Sequence, residues 1–242
     1  MKTIKLLLLV GVIIIIIDNV LTYTYCSIQK KKELYYLSGR KKQKVYTLEE
    51  VHNYKFPKKQ VKWIFHLYKG WIRYKLHRLG KIPCHTIRNF FLRHIYLMKL
   101  AKTAVLYGGF EVRSPWRIEI GEGSVIGDES KLDGRNGLII GKNVNFSTGV
   151  WIWTEQHDLN DSDFGSNNKG GEVIIGDRAW VSSRTTILPR VKIGEGCVIA
   201  AGAVISKDCE AFGIYGGVPG KKIGERSHNL KYIFDGSHEA FW

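Results

Sequence analysis

His157 is the one histidine of eight that falls between positions 106 and 227. It sits in TEQHDLNDSDFGSNNKGG, residues 154–171, with Glu155 and Asp158 close by. Imidazole is the side chain best suited to take a proton near neutral pH, so a histidine presented on a loop is a candidate general base. A hydroxyl is the kind of group it would activate, because a hydroxyl is a poor nucleophile until its proton is removed as it attacks. Glu155 and Asp158 are candidates to orient the ring or to bind the hydroxyls of an acceptor. Solvation at a surface loop is the plain alternative for all three residues. The four cysteines, Cys26, Cys84, Cys197 and Cys209, show no CxxC or CxxxC spacing. That argues against a zinc knot or a disulfide-built scaffold and fits a reducing compartment.

The polar stretch interrupts a repeat. Apolar residues return every six positions at Ile120, Ile126 and Leu132, then at Ile140, Phe146 and Ile152. A second run follows at Ile175, Val181, Ile187, Ile193, Ile199 and Ile205. Small or β-branched residues recur four places on, as at Ser124, Ser130, Val144, Ala179, Thr185, Val191 and Ala203, and glycine often follows the apolar position. No helix uses a period of six, and the glycines would cost about 1 kcal/mol each in one. The period suits a triangular coil with three short parallel strands per turn, whose stacked turns bury one continuous core. The fold class expected is mainly β, a parallel β-helix of hexapeptides. The 23-residue step from Ile152 to Ile175 is then a loop, and insertions in a repeat array tend to form its binding face.

IGEGSVIG, IGKNVNFSTGVWIWTEQHD, IGDRAWVSSRTTILPRVKIGEGCVIAAGAVISKD and GGVPGKKIGER resemble the hexapeptide-repeat O-acetyltransferases of the galactoside, maltose and colanic-acid type. The resemblance spans roughly 105–226. It implies a left-handed β-helix, an exception to the usual crossover hand, assembled as a homotrimer with active sites between subunits. It implies His157 as catalytic base acting directly on a sugar hydroxyl, with the backbone N–H of Ser183 as oxyanion donor. Acetyl-CoA is the implied cosubstrate. Trp180, Ala201, Gly202, Ser206 and Lys207 would line its arm, and Lys221, with Lys222 or Arg226, would meet its phosphates. Gly224 departs from the family there, standing where a second basic residue is common. The family's acceptor-binding asparagine has no match in GDESKLDGRNG, where Asp133 is nearest in register. The carbonic-anhydrase-like β-helices hold zinc with several histidines, and one histidine in the coil cannot build that site; no metal is expected. Nucleotidyltransferases that append such coils carry a sugar-nucleotide domain, for which residues 1–105 are too short and too basic.

The elements ahead of the coil have a different character. Residues 1–105 hold 22 Lys/Arg against four Asp/Glu, whereas 106–242 hold 15 against 18. Such asymmetry points the N-terminal part towards an anionic partner. Leu6–Ile17 is an unbroken apolar run that reads as an uncleaved anchor within 1–25; a cleaved signal peptide and a buried or surface helix are the alternatives. Lys30, Lys31, Lys32, Arg40, Lys41, Lys42 and Lys44 follow it, which places the bulk of the chain on the cytoplasmic side of a cell membrane as a single-pass protein. Residues 57–82 place Val61, Ile64, Phe65, Tyr68, Ile72, Leu76 and Leu79 at helical spacing among many cations. That is the pattern of a helix in a membrane interface, or of one packed on its own domain; a nucleic-acid partner is not expected, since no such motif accompanies it.

The domain reading is an anchor at 1–25, a basic and largely helical juxtamembrane segment at 26–105, a β-helical acyltransferase at 106–226 and a tail at 227–242 that folds back to cap the coil. The function expected is transfer of an acetyl group to a saccharide or lipid-linked saccharide acceptor in surface polysaccharide biosynthesis. The rival is a non-catalytic, membrane-anchored scaffold.

Overall fold

The computed structural model describes residues 2–37, 57–162, 164–165 and 170–239. Residues 99–225 wind into a three-sided parallel β-helix. One side stacks β1 (Lys99–Leu100), β4 (Ile118–Ile120), β7 (Leu138–Ile140), β10 (Val173–Ile175) and β13 (Lys192–Ile193). A second stacks β2 (Val105–Leu106), β5 (Val125–Ile126), β8 (Asn145–Phe146), β11 (Trp180–Val181), β14 (Val198–Ile199) and β16 (Gly213–Gly216), with β17 (Lys221–Glu225) added antiparallel at its edge. The third stacks β3 (Glu111–Arg113), β6 (Lys131–Asp133), β9 (Trp151–Ile152), β12 (Thr186–Ile187) and β15 (Val204–Ile205).

Each of the twelve apolar positions of the repeat is at most 2% exposed, and the small residues four places on are equally enclosed. The register is in phase throughout: Ile152 pairs with Ile187 and Ile187 with Ile205. The glycine after the apolar residue is explained by how closely turns stack. A Cβ on Gly121 would lie 2.5 Å from the Gly141 carbonyl oxygen, and one on Gly141 would lie 2.9 Å from the Asp177 amide nitrogen.

The coil is entered at Lys99, seven residues before position 106. Leu100, Leu106 and Val112 pair in register with Ile120, Ile126 and Leu132. The step from Val112 to Ile120 is eight residues, as is Leu132 to Ile140. The corner between the third and first sides is therefore two residues longer in the early turns. The His157 loop is a larger insertion at that same corner.

A short helix, α3 (His85–Phe90), and a π turn at Phe91–Ile95 cover the first turn. Leu92 is fully buried over the open end of the prism. Arg88, also buried, donates to the Leu106 carbonyl at 2.8 Å and to the Ile82 carbonyl. Arg93 donates to the carbonyls of Leu100 at 2.9 Å and Ala101 at 2.6 Å. Backbone acceptors left by the missing previous turn are satisfied in this way.

Two long helices precede the cap. The first, α1 (Lys2–Leu37), continues twelve residues beyond the anchor expected at 1–25. Its segment Ile4–Lys32 is long and apolar enough to cross a membrane, and Leu6–Leu9 and Val12–Ile17 are exposed. The second, α2 (Lys58–Leu79), divides the apolar face read from the sequence. Ile72, Leu76 and Leu79 are buried, whereas Val61, Ile64 and Phe65 remain exposed. The helices meet where the apolar run ends: Asp18 accepts from Lys75 Nζ at 2.7 Å and from Trp71 Nε1 at 2.9 Å. The Tyr25 ring meets Tyr68 edge-on at 5.7 Å. Of the cations used to assign orientation, Arg40, Lys41, Lys42 and Lys44 lie outside the described residues.

The tail departs from its expected role. It runs back along the corner between the first and second sides, past successive turns, instead of covering the last one. Tyr232 Oη donates to the Arg178 carbonyl at 2.8 Å, and the Phe234 amide to Asn143 Oδ1 at 3.0 Å. A Cβ on Gly123 would lie 2.6 Å from the Phe234 carbonyl oxygen. His238 reaches the cap, its ring 4.2 Å from that of His85. Alternation places Leu230, Tyr232 and Phe234 towards the coil and Lys231, Ile233 and Asp235 outwards.

Candidate active site

The loop that carries His157 leaves the third side after Ile152 and rejoins the first at Val173. Its turns are set by short-range bonds: Asp161 N–H donates to the Asp158 carbonyl, Phe164 N–H to that of Asp161, and Asp158 N–H to that of Gly165. Within this loop, residues 163 and 166–169 lie outside the described residues. His157 is exposed, and its ring stacks on Phe164 at 4.1 Å with 13° between planes. Nδ1 lies 2.7 Å from the Phe164 carbonyl oxygen. A carbonyl can only accept, so Nδ1 carries the hydrogen and Nε2 presents its lone pair. This arrangement suits proton abstraction by Nε2.

The orienting group is thus a backbone carbonyl seven residues on, and neither carboxylate named from the sequence supplies it. Glu155 is ion-paired with Arg135. The Asp158 carboxylate accepts from the Asn160 amide at 3.1 Å and shapes its own turn.

Asp133 is also differently employed from its expected role at the acceptor. It is 1% exposed and its carboxylate takes four hydrogen bonds. Oδ1 accepts from Arg135 Nε at 2.9 Å and Arg135 N at 3.0 Å. Oδ2 accepts from Arg135 Nη2 at 2.9 Å and from Thr154 N at 3.1 Å. Burial alone would raise this pKa, but the Arg135 guanidinium and the two amides outweigh it and hold the carboxyl below its usual range. Asn136 Nδ2 completes the junction by donating to the Thr154 carbonyl at 2.7 Å. The sequence reading missed this Asp133–Arg135–Asn136–Thr154 cluster as the anchorage of the loop that carries His157. The two-residue excess at this corner was the available signal.

Ser183 occupies the corner between the second and third sides, where its carbonyl accepts from Gly202 N–H at 2.9 Å. Ala201 and Gly202 lie on the same corner one turn later, and both are exposed. Gly202 has φ +70° and open space where a Cβ would stand. Trp180, on the outer face of β11, is 43% exposed and donates from Nε1 to Ser147 Oγ at 3.3 Å. Ser206 and Lys207 are exposed at the following corner.

The three basic residues at the C-terminal end of the coil separate into two groups. Lys221 is exposed and makes no ion pair among the described residues, as is also true of Lys207. Lys222 lies between Glu210 at 2.8 Å and Glu225 at 2.9 Å. Arg226 donates to the carbonyls of Arg178 at 3.1 Å and Gly196 at 3.3 Å, and packs on the Tyr232 ring. Lys222 and Arg226 are therefore committed to the hairpin and the tail. Among the described residues no three His, Cys, Asp or Glu side chains converge as a metal site would require.

Residues 172–207 match the bacterial transferase hexapeptide family, which is described as six repeats. Over 136 residues the chain is 26% identical to a protein named as a colanic acid biosynthesis acetyltransferase, WcaF, of Escherichia coli (strain K12), covering 56% of this chain and 74% of the relative. A maltose O-acetyltransferase from Clostridium difficile 630 has a similar fold, with TM-score 0.58 and 24% identity over 67% of this chain and 88% of the other. So has a hexapeptide-repeat-containing acetyltransferase of Vibrio cholerae O1 biovar eltor, solved with acetyl coenzyme A, at TM-score 0.55 and 22% identity over 65% and 88% of the two chains.

Proposed function

We propose that this hexapeptide-repeat protein is an acetyl-CoA-dependent O-acetyltransferase acting on a saccharide hydroxyl, in surface polysaccharide biosynthesis. One observation carries the reading: His157 stands on a loop projecting from the β-helix, its Nδ1 hydrogen held by the Phe164 carbonyl and its Nε2 free to take a proton. The relatives support the reaction class, and the WcaF relative supports the polysaccharide context.

Acetyl-CoA supplies an acetyl thioester. The residues present suit it: open space beside Gly202 and exposed Ala201 admit a narrow chain, and the ammonium groups of Lys207 and Lys221 suit phosphates. His157 Nε2 removes the proton of the acceptor hydroxyl as its oxygen attacks the acetyl carbon, and returns it to the departing sulfur. The Ser183 N–H donates to the oxygen on which negative charge develops. In the proposed homotrimer a neighbouring subunit closes the groove near Trp180. The exposed apolar stretch of α1 holds the enzyme on a cell membrane, with the coil on the cytoplasmic side.

The test uses the full chain in detergent or nanodiscs. Transfer of labelled acetyl from acetyl-CoA to a lipid-extracted glycan pool is followed for wild type and His157→Ala. Loss of transfer with retained acetyl-CoA binding supports the reading. Equal incorporation by both proteins would overturn it, and undiminished polysaccharide assembly with the variant would favour a scaffold.

A further inference from the structure

A cleft of about 1580 Å³ lies between the helices and the early turns of the coil. One wall is a single stripe of α2, where Lys59, Lys62, His66, Lys69 and Arg73 recur at three- and four-residue spacing. The opposite wall is the corner between the third and first sides, including Trp116, Arg117, Arg135 and Asn136. Tyr25, Gln29 and Lys32 of α1 border it, and Glu155, two residues before His157, closes one side. Eight lysines and arginines line this space against one carboxylate, Glu155, which is paired with Arg135; Arg73 and Arg113 share Glu111 just outside it, and the cations still outnumber both carboxylates.

The stripe is distinct from the exposed apolar face of the same helix, on which Val61, Ile64, Leu67, Trp71 and Tyr74 fall. A helix lying on a membrane would turn that apolar face to lipid, which leaves the cationic stripe turned inwards over the coil. The apolar run of α1 ends at Ile17, and the same helix runs on past Asp18 to Tyr25, Gln29 and Lys32 at the border of the cleft, which therefore lies on the polar side of that boundary. The excess positive charge, the aromatic rings of Trp63 and Trp116, and the adjacency to the His157 loop are complementary to a sugar joined to phosphate. Aromatic faces pack on sugar rings, and lysine and arginine bind phosphate oxygens.

We propose that this cleft seats the acceptor, and that the acceptor is a saccharide carried on a membrane lipid through a diphosphate. The α2 stripe holds the diphosphate while the sugar extends past Asn136 and Glu155 towards His157. The assignment rests on the acetyltransferase reading for the sugar's fate, but the diphosphate site is measurable without it.

The experiment uses the full chain in nanodiscs of neutral lipid, with a radiolabelled long-chain polyprenyl diphosphate as probe. Wild type is compared with Lys59→Gln/Lys69→Gln, and inorganic diphosphate and phosphatidylglycerol serve as competing ligands. Each lost cation is expected to weaken probe binding by roughly threefold, or about tenfold for the pair. Acetyl-CoA binding and slow acetyl-CoA hydrolysis are expected to stay at wild-type levels. Unchanged probe affinity in the double variant would overturn the site. Inorganic diphosphate matching the lipid probe would overturn the membrane-borne source, and phosphatidylglycerol displacing it equally would reduce the stripe to a general anionic surface. Failure of the acetyltransferase reading would appear separately, as hydrolysis that survives His157→Ala.

Discussion

Asp133→Asn tests whether the loop that carries His157 is held from its base. The carboxylate has two oxygens, each accepting two hydrogen bonds from Arg135 or Thr154. The amide keeps one oxygen and sets an NH2 group against the two donors at the other. Whichever way the amide is turned, two hydrogen bonds are lost and the remaining two lose the benefit of charge. With about 1–3 kcal/mol for a buried polar group left unsatisfied, and part recovered by shifting Arg135 outwards, the loss amounts to about 2–4 kcal/mol. Urea unfolding at pH 7, followed by circular dichroism, measures it as a lower midpoint at unchanged m. The pH dependence supplies an internal control. The carboxyl's pKa is depressed in the folded state. Its stabilisation is therefore complete above the unfolded value of about 3.9 and is lost as pH falls through the lower folded value. The two proteins should differ fully at pH 6 and converge on acidification below about pH 4. A difference under about 0.5 kcal/mol at pH 7, or one that persists unchanged in acid, would refute this account of the junction. Turnover should fall in the same variant while acetyl-CoA affinity holds, because Thr154 and Glu155 lead directly into the loop.

Three further outcomes are expected. His157→Ala should lower kcat by about 10²–10⁴ and leave acetyl-CoA binding by calorimetry within about twofold. Lys221→Ala should weaken acetyl-CoA binding several-fold, whereas Lys222→Ala should change it little, since Lys222 is held by Glu210 and Glu225; equal effects would contradict the division. Gly141→Ala would put a Cβ 2.9 Å from the Asp177 amide nitrogen, and should cost about 1–3 kcal/mol of stability by overpacking, read from thermal unfolding.

The six-residue period was legible because each strand contributes one enclosed side chain, so Ile175 through Ile205 mark the prism without interruption. Leu100, Leu106 and Val112 obey the same geometry but escaped notice, because eight-residue steps at one corner break the count. His157 could be picked out as the coil's lone histidine. Its orienting partner could not, because a backbone carbonyl at Phe164 leaves no trace in residue type. Asp133 and Arg226 misled for a related reason: a carboxylate or guanidinium spent on nearby amides and carbonyls has the same composition as one waiting for a ligand. The tail did carry a signal, the alternation of Leu230, Tyr232 and Phe234, but nothing in it names the corner against which it lies.

That tail bears on how the molecule comes apart. A solenoid whose turns touch only their neighbours behaves as a one-dimensional array, opening from whichever end is weaker and leaving the rest wound. Here one extended segment passes Arg178, Asn143 and Thr103 and ends at the cap beside His85. The first and last turns are thereby joined through one segment that also touches the turns between them. Fraying at either end strips part of the same segment, which couples the terminal turns more closely than stacking of neighbours alone would.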